Sequence, residues 1–271
     1  MRNLAVNASN HEKTPEEYML RLRKSIFQMS KPILVAFDFD HTIADQNTDI
    51  VVRDLLPREK ITDDVTKLYR SDGWTAYMQK IFFLLHENGI KPETIEEAVK
   101  KIPVTAGVDK LLKFLHQTNN EVVIISDSNS VFIRKWLEAT CLNYTVQKVF
   151  TNPAHYDDNG CLRIQMYHIQ DWCELSTKNL CKGHILEEYL KEREKSGVKF
   201  HRVVYVGDGK NDLCPCLRLG HSDIAFPRCG YALAEVLCGG GQEINASVHT
   251  WKNGEEIMKH LSNYLNSDYS S

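Results

Sequence analysis

The sequence predicts a doubly wound α/β fold: a parallel sheet with a small helical cap inserted after its first strand. Three observations predict it. Three strand-like runs, ILVAF at 33–37, EVVII at 121–125 and HRVVYV at 201–206, each stop abruptly at a polar cluster. Helical patterns separate these runs, and such alternation argues for a parallel sheet. Residues 47–104 change to a helical pattern, with no convincing strand.

The elements follow in order. Residues 1–13 are expected to form a disordered leader. Thr14, Pro15 and Glu17 mark a helix start, as N-cap, N1 and N3, with the helix running towards Met29. Ile33–Phe37 suits a strand buried on both faces. In the cap, helices are expected over Asp49–Leu56, over Thr75–Asn88 with Gly89 as C-cap, and over Pro92–Lys101. Gly107–Gln117 is a helix with Val108, Leu111, Leu112 and Leu115 on one face. Strand 121–125, helix Val131–Thr140 and strand Val146–Phe150 continue the alternation. Asp157, Asp158, Asn159 and Gly160 suit a hairpin turn. Helix Lys178–Ser196, strand His201–Val206 and strand Ser222–Phe226 come next. Helices Gly230–Leu237 and Gly254–Leu265 close the chain, with a short strand near Val248. The expected division is 1–30 leader and helix, 31–46 plus 105–265 catalytic core, 47–104 cap, and 266–271 loose tail.

Composition narrows the function. The chain has 271 residues, 42% of them hydrophobic, enough for a sizeable core, and a net charge of −3. Nucleic-acid binders usually carry a strong basic field, so none is expected as a partner. No apolar run reaches the roughly 18 residues of a membrane span, and the polar start lacks a signal-peptide core. A cytoplasmic protein is expected. Eight cysteines are too few for a small disulfide scaffold, so reduced thiols are the default.

The strand ends carry the chemistry. FDFDHT (37–42), ISDSN (125–129) and YVGDGKND (205–212) would open on one sheet edge, where ligands bind in open α/β sheets. Asp38 and Asp40 end a hydrophobic strand, which is costly without compensation. A hard divalent cation bound through oxygen is the natural one. Residues i and i+2 share a side of a strand, so both acids can converge while Phe39 enters the core. The set suits phosphoryl transfer. One carboxylate can accept the phosphoryl group, a second can shuttle the proton, and a hydroxyl and an ammonium can hold the phosphoryl oxygens.

These motifs resemble those of haloacid dehalogenase superfamily phosphatases, whose first motif is DxDxT. The longer phrases DFDHTIADQNTD, ISDSNSVFI, FTNPA, NLCKG, YVGDGKNDLCP and AFPRCGY resemble the phosphoethanolamine/phosphocholine phosphatase family. They are closest to its pyridoxal phosphate phosphatase branch, and a plant-type pyrophosphatase branch is also similar. The likeness runs from about residue 33 to residue 260. It implies Asp38 as nucleophile, Asp40 as general acid/base, Ser126 as phosphate donor and Lys182 as the third-motif lysine, with Lys178 and Lys210 as competitors. It implies Mg²⁺ held by Asp38, Asp40, Asp208 and Asp212, the last directly or through water. Asp49 and Asp127 are implied to contact substrate, although Asp49 also reads as a helix N-cap. The implied partner is a small phosphorylated metabolite, and the implied assembly is a monomer or homodimer.

Other residues read more plainly. His41 is expected to face solvent and help position the cap. Trp74, Tyr77, Phe82 and Phe83 are expected in the cap core, with one facing substrate. Arg228 reads equally as a substrate contact or a surface loop. The family's animal members carry a segment resembling H-x-H-x-C-x-x-C. Here it reads YHIQDWCELSTKNLCK, with Gln170 and Ser176 at two of those places. His168, Cys173, Cys181 and His184 are poorly spaced for zinc, so a packed, reduced cysteine cluster is expected, with Cys214 and Cys216 in core and turn packing. The expected reaction is Mg²⁺-dependent hydrolysis of a small phosphomonoester through an aspartyl-phosphate. Pyridoxal 5′-phosphate is the first substrate, and phosphoethanolamine or phosphocholine the next. The alternatives are a pyrophosphate-directed phosphatase, a phosphotransferase, and a phosphate-binding protein without turnover.

Overall fold

The computed structural model describes residues 32–71 and 73–267. The helix expected over Thr14–Met29 and the last four residues of the tail lie outside them.

Six parallel strands form one sheet in the order β3-β2-β1-β6-β7-β8. They are β1 (Ile33–Phe37), β2 (Glu121–Asn129), β3 (Lys148–Asn152), β6 (Arg202–Gly207), β7 (Ile224–Pro227) and β8 (Ser247–Val248). β4 (Ala154–Tyr156) and β5 (Leu162–Ile164) make a separate antiparallel hairpin around the expected turn. β1 lies at the centre, paired with β2 and β6. Its residues divide by face. Ile33, Val35 and Phe37 enter one buried cluster, Leu34 and Ala36 the other. A strand covered on both sides needs a continuous apolar run, and the sequence supplies one.

Four helices separate β1 from the next core helix: α1 (Thr48–Arg53), α2 (Asp63–Ser71), α3 (Trp74–Glu87) and α4 (Pro92–Lys100). The helix over 63–71 is not among those expected, although Val65, Leu68 and Tyr69 stand at i, i+3 and i+4 along it. α5 (Val108–Gln117) and α6 (Ser130–Ala139) flank β2. α7 (Lys182–Lys195), α8 (Leu213–Cys216), α9 (Ala232–Cys238) and α10 (Gly254–Ser267) complete the alternation.

The two connections that bound the α1–α4 segment pair with each other. Thr105 donates its backbone N–H to the Ile43 carbonyl at 2.9 Å, and Asp45 donates to Pro103 at 2.9 Å. Arg228 fixes the first connection from the sheet side. Its guanidinium donates to the His41 carbonyl and pairs with Asp45 at 2.6 Å. Arg228 is therefore a brace for this loop rather than a free surface side chain. His41 is half-buried, with φ of 55° and its ring 5.5 Å from that of Tyr231, so it does not face solvent freely.

α7 begins four residues later than the sequence suggests. Asn179 is tied into the preceding loop, accepting from the Tyr167 N–H at 2.9 Å and donating to Asn152 at 2.8 Å. Leu180 turns the chain with φ of 59°, and Cys181 is extended as N-cap. Lys182 becomes the first helical residue. β2, conversely, runs to Asn129 rather than stopping at Ile125, since Ser126, Ser128 and Asn129 are buried and Asn129 pairs with Asn152.

Candidate active site

β1, β2 and β6 deliver their polar ends to one edge. Asp38 follows β1 directly, its backbone N–H bonded to the Val206 carbonyl at 2.9 Å. Lys182 reaches the same point from α7. Its Nζ lies 2.7 Å from Asp38 Oδ2 and 2.7 Å from Asp212 Oδ1, with the lysine 1% exposed. Neither Lys178 nor Lys210 makes such a contact; both line the outer cavity. Asp212 is saturated. Lys182 and the Tyr205 hydroxyl donate to Oδ1 at 2.7 Å each, and the N–H groups of Asp208 and Gly209 donate to Oδ2. Thr42 donates to Asp208 Oδ1 at 3.2 Å.

Burial shapes the protonation of these acids. It pushes Asp38 well above the usual carboxylate range, and the Asp212 charge adds to this against the opposing pull of Lys182. Burial and then Asp212 raise Asp208 to about 7. Burial opposes the Lys182 charge, but Asp212 and Asp38 outweigh it and keep the ammonium protonated.

Ligand oxygens of Asp38, Asp208 and Asp212 lie within 4.8 Å of one another. Three carboxylates against one ammonium leave negative charge uncompensated in a dry site. An all-oxygen set of this kind fits a hard cation such as Mg²⁺. Asp38 and Asp208 have lone pairs to give, whereas Asp212 already accepts four hydrogen bonds. The carboxylate of Asp40 does not join the three. It turns outward, accepting from the Thr48 N–H at 2.9 Å and the Thr48 hydroxyl at 3.3 Å. Burial, and then the neighbouring Asp49 charge, push Asp40 well above its ordinary range, so it holds its proton.

Outside this edge lies a cavity of about 590 Å³, with Asp40, Asp49, Asp127, Trp74, Lys178 and Lys210 among its lining residues. That volume suits a small ligand. Asp49 is 2% exposed, and Trp74 Nε1 donates to its Oδ2 at 2.6 Å. Its Oδ1 has no hydrogen-bond partner. Burial raises it to about 7; the Trp74 bond opposes this and the Asp127 charge reinforces it. Asn47 caps α1 by accepting from the Ile50 N–H at 3.0 Å, so Asp49 is not the cap. Asp127 accepts from Asn211 Nδ2 at 3.2 Å. Of the cap aromatics, Tyr77 and Phe82 are buried and Trp74 faces the cavity.

Ser126 is fully buried beside this edge, its hydroxyl accepting from the Ser128 N–H at 3.2 Å. Thr48, Ser128, Asn211 and Tyr205 escape a reading by sequence alone. Thr42 stands in the DxDxT motif, which was its one available signal. The zinc set weighed from sequence is not assembled. His168 Nε2 is occupied by the Cys181 N–H at 2.8 Å, and Cys214, assigned to packing, meets Cys173 and Cys181 instead.

Residues 33–265 match the family described as "Putative Phosphatase". Pyridoxal phosphate phosphatase from Bos taurus is 40% identical, over 84% of this chain and 97% of the relative. Phosphoethanolamine/phosphocholine phosphatase from Homo sapiens is 33% identical, over 86% of this chain and 90% of the relative. Among solved structures, a phospho-aspartyl intermediate analogue of phosphoserine phosphatase aligns with a TM-score of 0.56 at 22% identity, covering 85% of this chain and 99% of that one. Cytosolic 5′-nucleotidase IIIB bound to cytidine aligns with a TM-score of 0.57 at 14% identity, covering 95% and 94%. These two likenesses concern the fold, a haloacid dehalogenase-like α/β core.

Proposed function

The chain belongs to that phosphatase family, and from this premise we propose that it hydrolyses pyridoxal 5′-phosphate through an aspartyl-phosphate on Asp38. The observation that carries the reading is the Lys182 ammonium, buried and 2.7 Å from both Asp38 and Asp212. It fixes the Asp38 carboxylate at the sheet edge and offers N–H donors where phosphoryl oxygens would lie. Asp38 attacks phosphorus as the bond to the leaving oxygen breaks. Asp40, held protonated by burial, gives its proton to that oxygen. The resulting Asp40 carboxylate then takes a proton from the water that attacks the aspartyl-phosphate, releasing phosphate and restoring Asp38. Ser126 donates to the phosphoryl group, while Asp212, itself held by the Tyr205 hydroxyl, keeps Lys182 in place. Asp38 and Asp208, with Asp212 beside them, would hold Mg²⁺, which supplies charge neutralisation and Lewis-acid polarisation of the phosphoryl oxygens.

A second substrate class has its own support. Asp49 offers an unpartnered buried oxygen into a cavity that Trp74 also lines. A protonated or quaternary amine fits an acid beside an aromatic face, so phosphoethanolamine and phosphocholine rank next. None of the eight cysteines is in a disulfide, which suits a reducing compartment and a cytoplasmic enzyme.

The deciding experiment is a kinetic panel of pyridoxal 5′-phosphate, phosphoethanolamine, phosphocholine and pyrophosphate with Mg²⁺. Pyridoxal 5′-phosphate is expected to give the highest kcat/KM, and exhaustive chelation to abolish turnover. A preference for pyrophosphate, or full activity after chelation, overturns the reading.

A further inference from the structure

Three thiols meet at the start of α7, separate from the carboxylate cluster. Cys173 Sγ lies 3.4 Å from Cys214 Sγ, and Cys181 Sγ lies 3.7 Å from Cys214 Sγ. All three sulfurs fall within 4.8 Å of one another. They come from three segments: the loop after β5, the residue before α7 and the first turn of α8. None is in a disulfide. Cys181 and Cys214 are buried, and Cys173 is partly exposed.

The spacing is that of a thiolate metal site. Zinc binds thiolate sulfur at about 2.3 Å, so a tetrahedral ion holds its sulfurs about 3.8 Å apart. The two shorter separations here are close to that value. Thiolate ligands also favour zinc over hard ions such as Mg²⁺.

The surroundings hold the thiols in place. The buried Gln170 side chain organises the loop that carries Cys173. It accepts from the Cys173 N–H at 2.8 Å and donates to the Cys173, Ser176 and Thr177 carbonyls. His168 fixes the Cys181 backbone. Gly183 leaves the space that Cys214 needs, since a Cβ there would stand 2.6 Å from its sulfur.

We propose that Cys173, Cys181 and Cys214 bind one Zn²⁺, with water as fourth ligand on the partly exposed Cys173 side. The site is a clip. It joins the loop that forms one wall of the substrate cavity to the two segments that carry Lys182 and Asp212.

The test uses the full chain, kept reduced with a non-chelating phosphine. Elemental analysis after dialysis is expected to find one zinc per chain. Replacing it with Co²⁺ is expected to give sulfur-to-cobalt charge-transfer bands and the intense d–d bands of a tetrahedral site. Cys214→Ser is expected to weaken Zn²⁺ binding at least about 100-fold, the upper end of what disturbing even an outer partner costs. Cys173→Ser, on the partly exposed loop, is the variant least disturbing to the fold and should lose the same bands. Asp38→Asn and Asp208→Asn should keep both zinc and bands, which separates this site from the phosphatase reading. A reduced wild-type chain with no bound zinc and no thiolate–cobalt band overturns the proposal. So does retention of the bands in the Cys173→Ser, Cys214→Ser double variant.

Discussion

Two groups of acids face one crevice and are treated differently. At the sheet edge, Asp38 and Asp212 share the Lys182 ammonium, and Asp212 accepts four hydrogen bonds. Further out, Asp40, Asp49 and Asp127 accept from Thr48, Trp74 and Asn211, all neutral donors. Among the described residues, no basic side chain forms an ion pair with these three. Burial raises Asp38, Asp40 and Asp49 alike; the difference is that the Lys182 ammonium pulls against the rise at Asp38, and no cation does so at Asp40 or Asp49. The inner group has a fixed cation beside it to hold a negative charge. In the outer group, burial holds Asp40 and Asp49 towards the neutral form, and a cation brought beside them would shift that balance.

The sharpest way to break this contrast is Asp38→Asn. It should lower kcat at least about 10⁴-fold, by analogy with removal of other nucleophiles, while the thermal unfolding curve stays near that of the parent. Retained turnover would remove chemistry from the inner group. Next is Lys182→Ala, which strips the counter-charge from two buried acids. Breaking a buried pair in this way costs about 3–5 kcal/mol, measurable by urea denaturation. The loss should shrink as pH falls and Asp38, already raised by burial, takes up its proton. Asp49→Asn is the outer counterpart and should leave stability unchanged or raise it, since it removes an acid that has no cation. Its effect belongs in binding: KM for phosphocholine should rise about tenfold, or about 1.4 kcal/mol, with kcat nearly unchanged.

The smallest effect is a pH dependence. Asp49 is raised to about 7 from an ordinary value of 3.8. Raising pH from 6 to 8 should ionise it and lower KM for phosphocholine several-fold, a change that Asp49→Asn should flatten. Phosphocholine suits the test because its quaternary amine does not titrate. The same shift affects folding with the opposite sign. A raised carboxyl stabilises fully below its unfolded value and loses that contribution as pH rises through about 7. The ligand-free enzyme should therefore lose stability across that window, and Asp49→Asn should lose less. A steeper loss in the variant would reverse the sign assigned to Asp49.

What the sequence makes legible is what local pattern controls. Ile33–Phe37 reads as a doubly covered strand because apolar residues fill both faces. The acids beyond it read as a site because such residues are costly there without a partner. Choosing Lys182 over Lys178 needed family likeness, because the deciding event is a turn at Leu180 set by contacts of Asn179 with distant residues. Cys214 is harder still. Its partner Cys173 is 41 positions away in the chain, and no local periodicity reports a meeting of that kind. Asp63–Ser71 is a different kind of miss: Val65, Leu68 and Tyr69 stand at i, i+3 and i+4, but the stripe is only three residues long.

The paired connections at Ile43–Thr105 and Asp45–Pro103 carry a consequence for how such a molecule can change over generations. The α1–α4 segment leaves and re-enters the sheet at one point, so the sheet meets it as a closed loop. Closing a longer or shorter loop between fixed ends costs only logarithmically more or less. A different wall in place of Trp74, which is only partly buried, can be tried there while the two pairs hold the ends of the segment. Substrate preference in this architecture is therefore free to drift while the reacting end stays fixed.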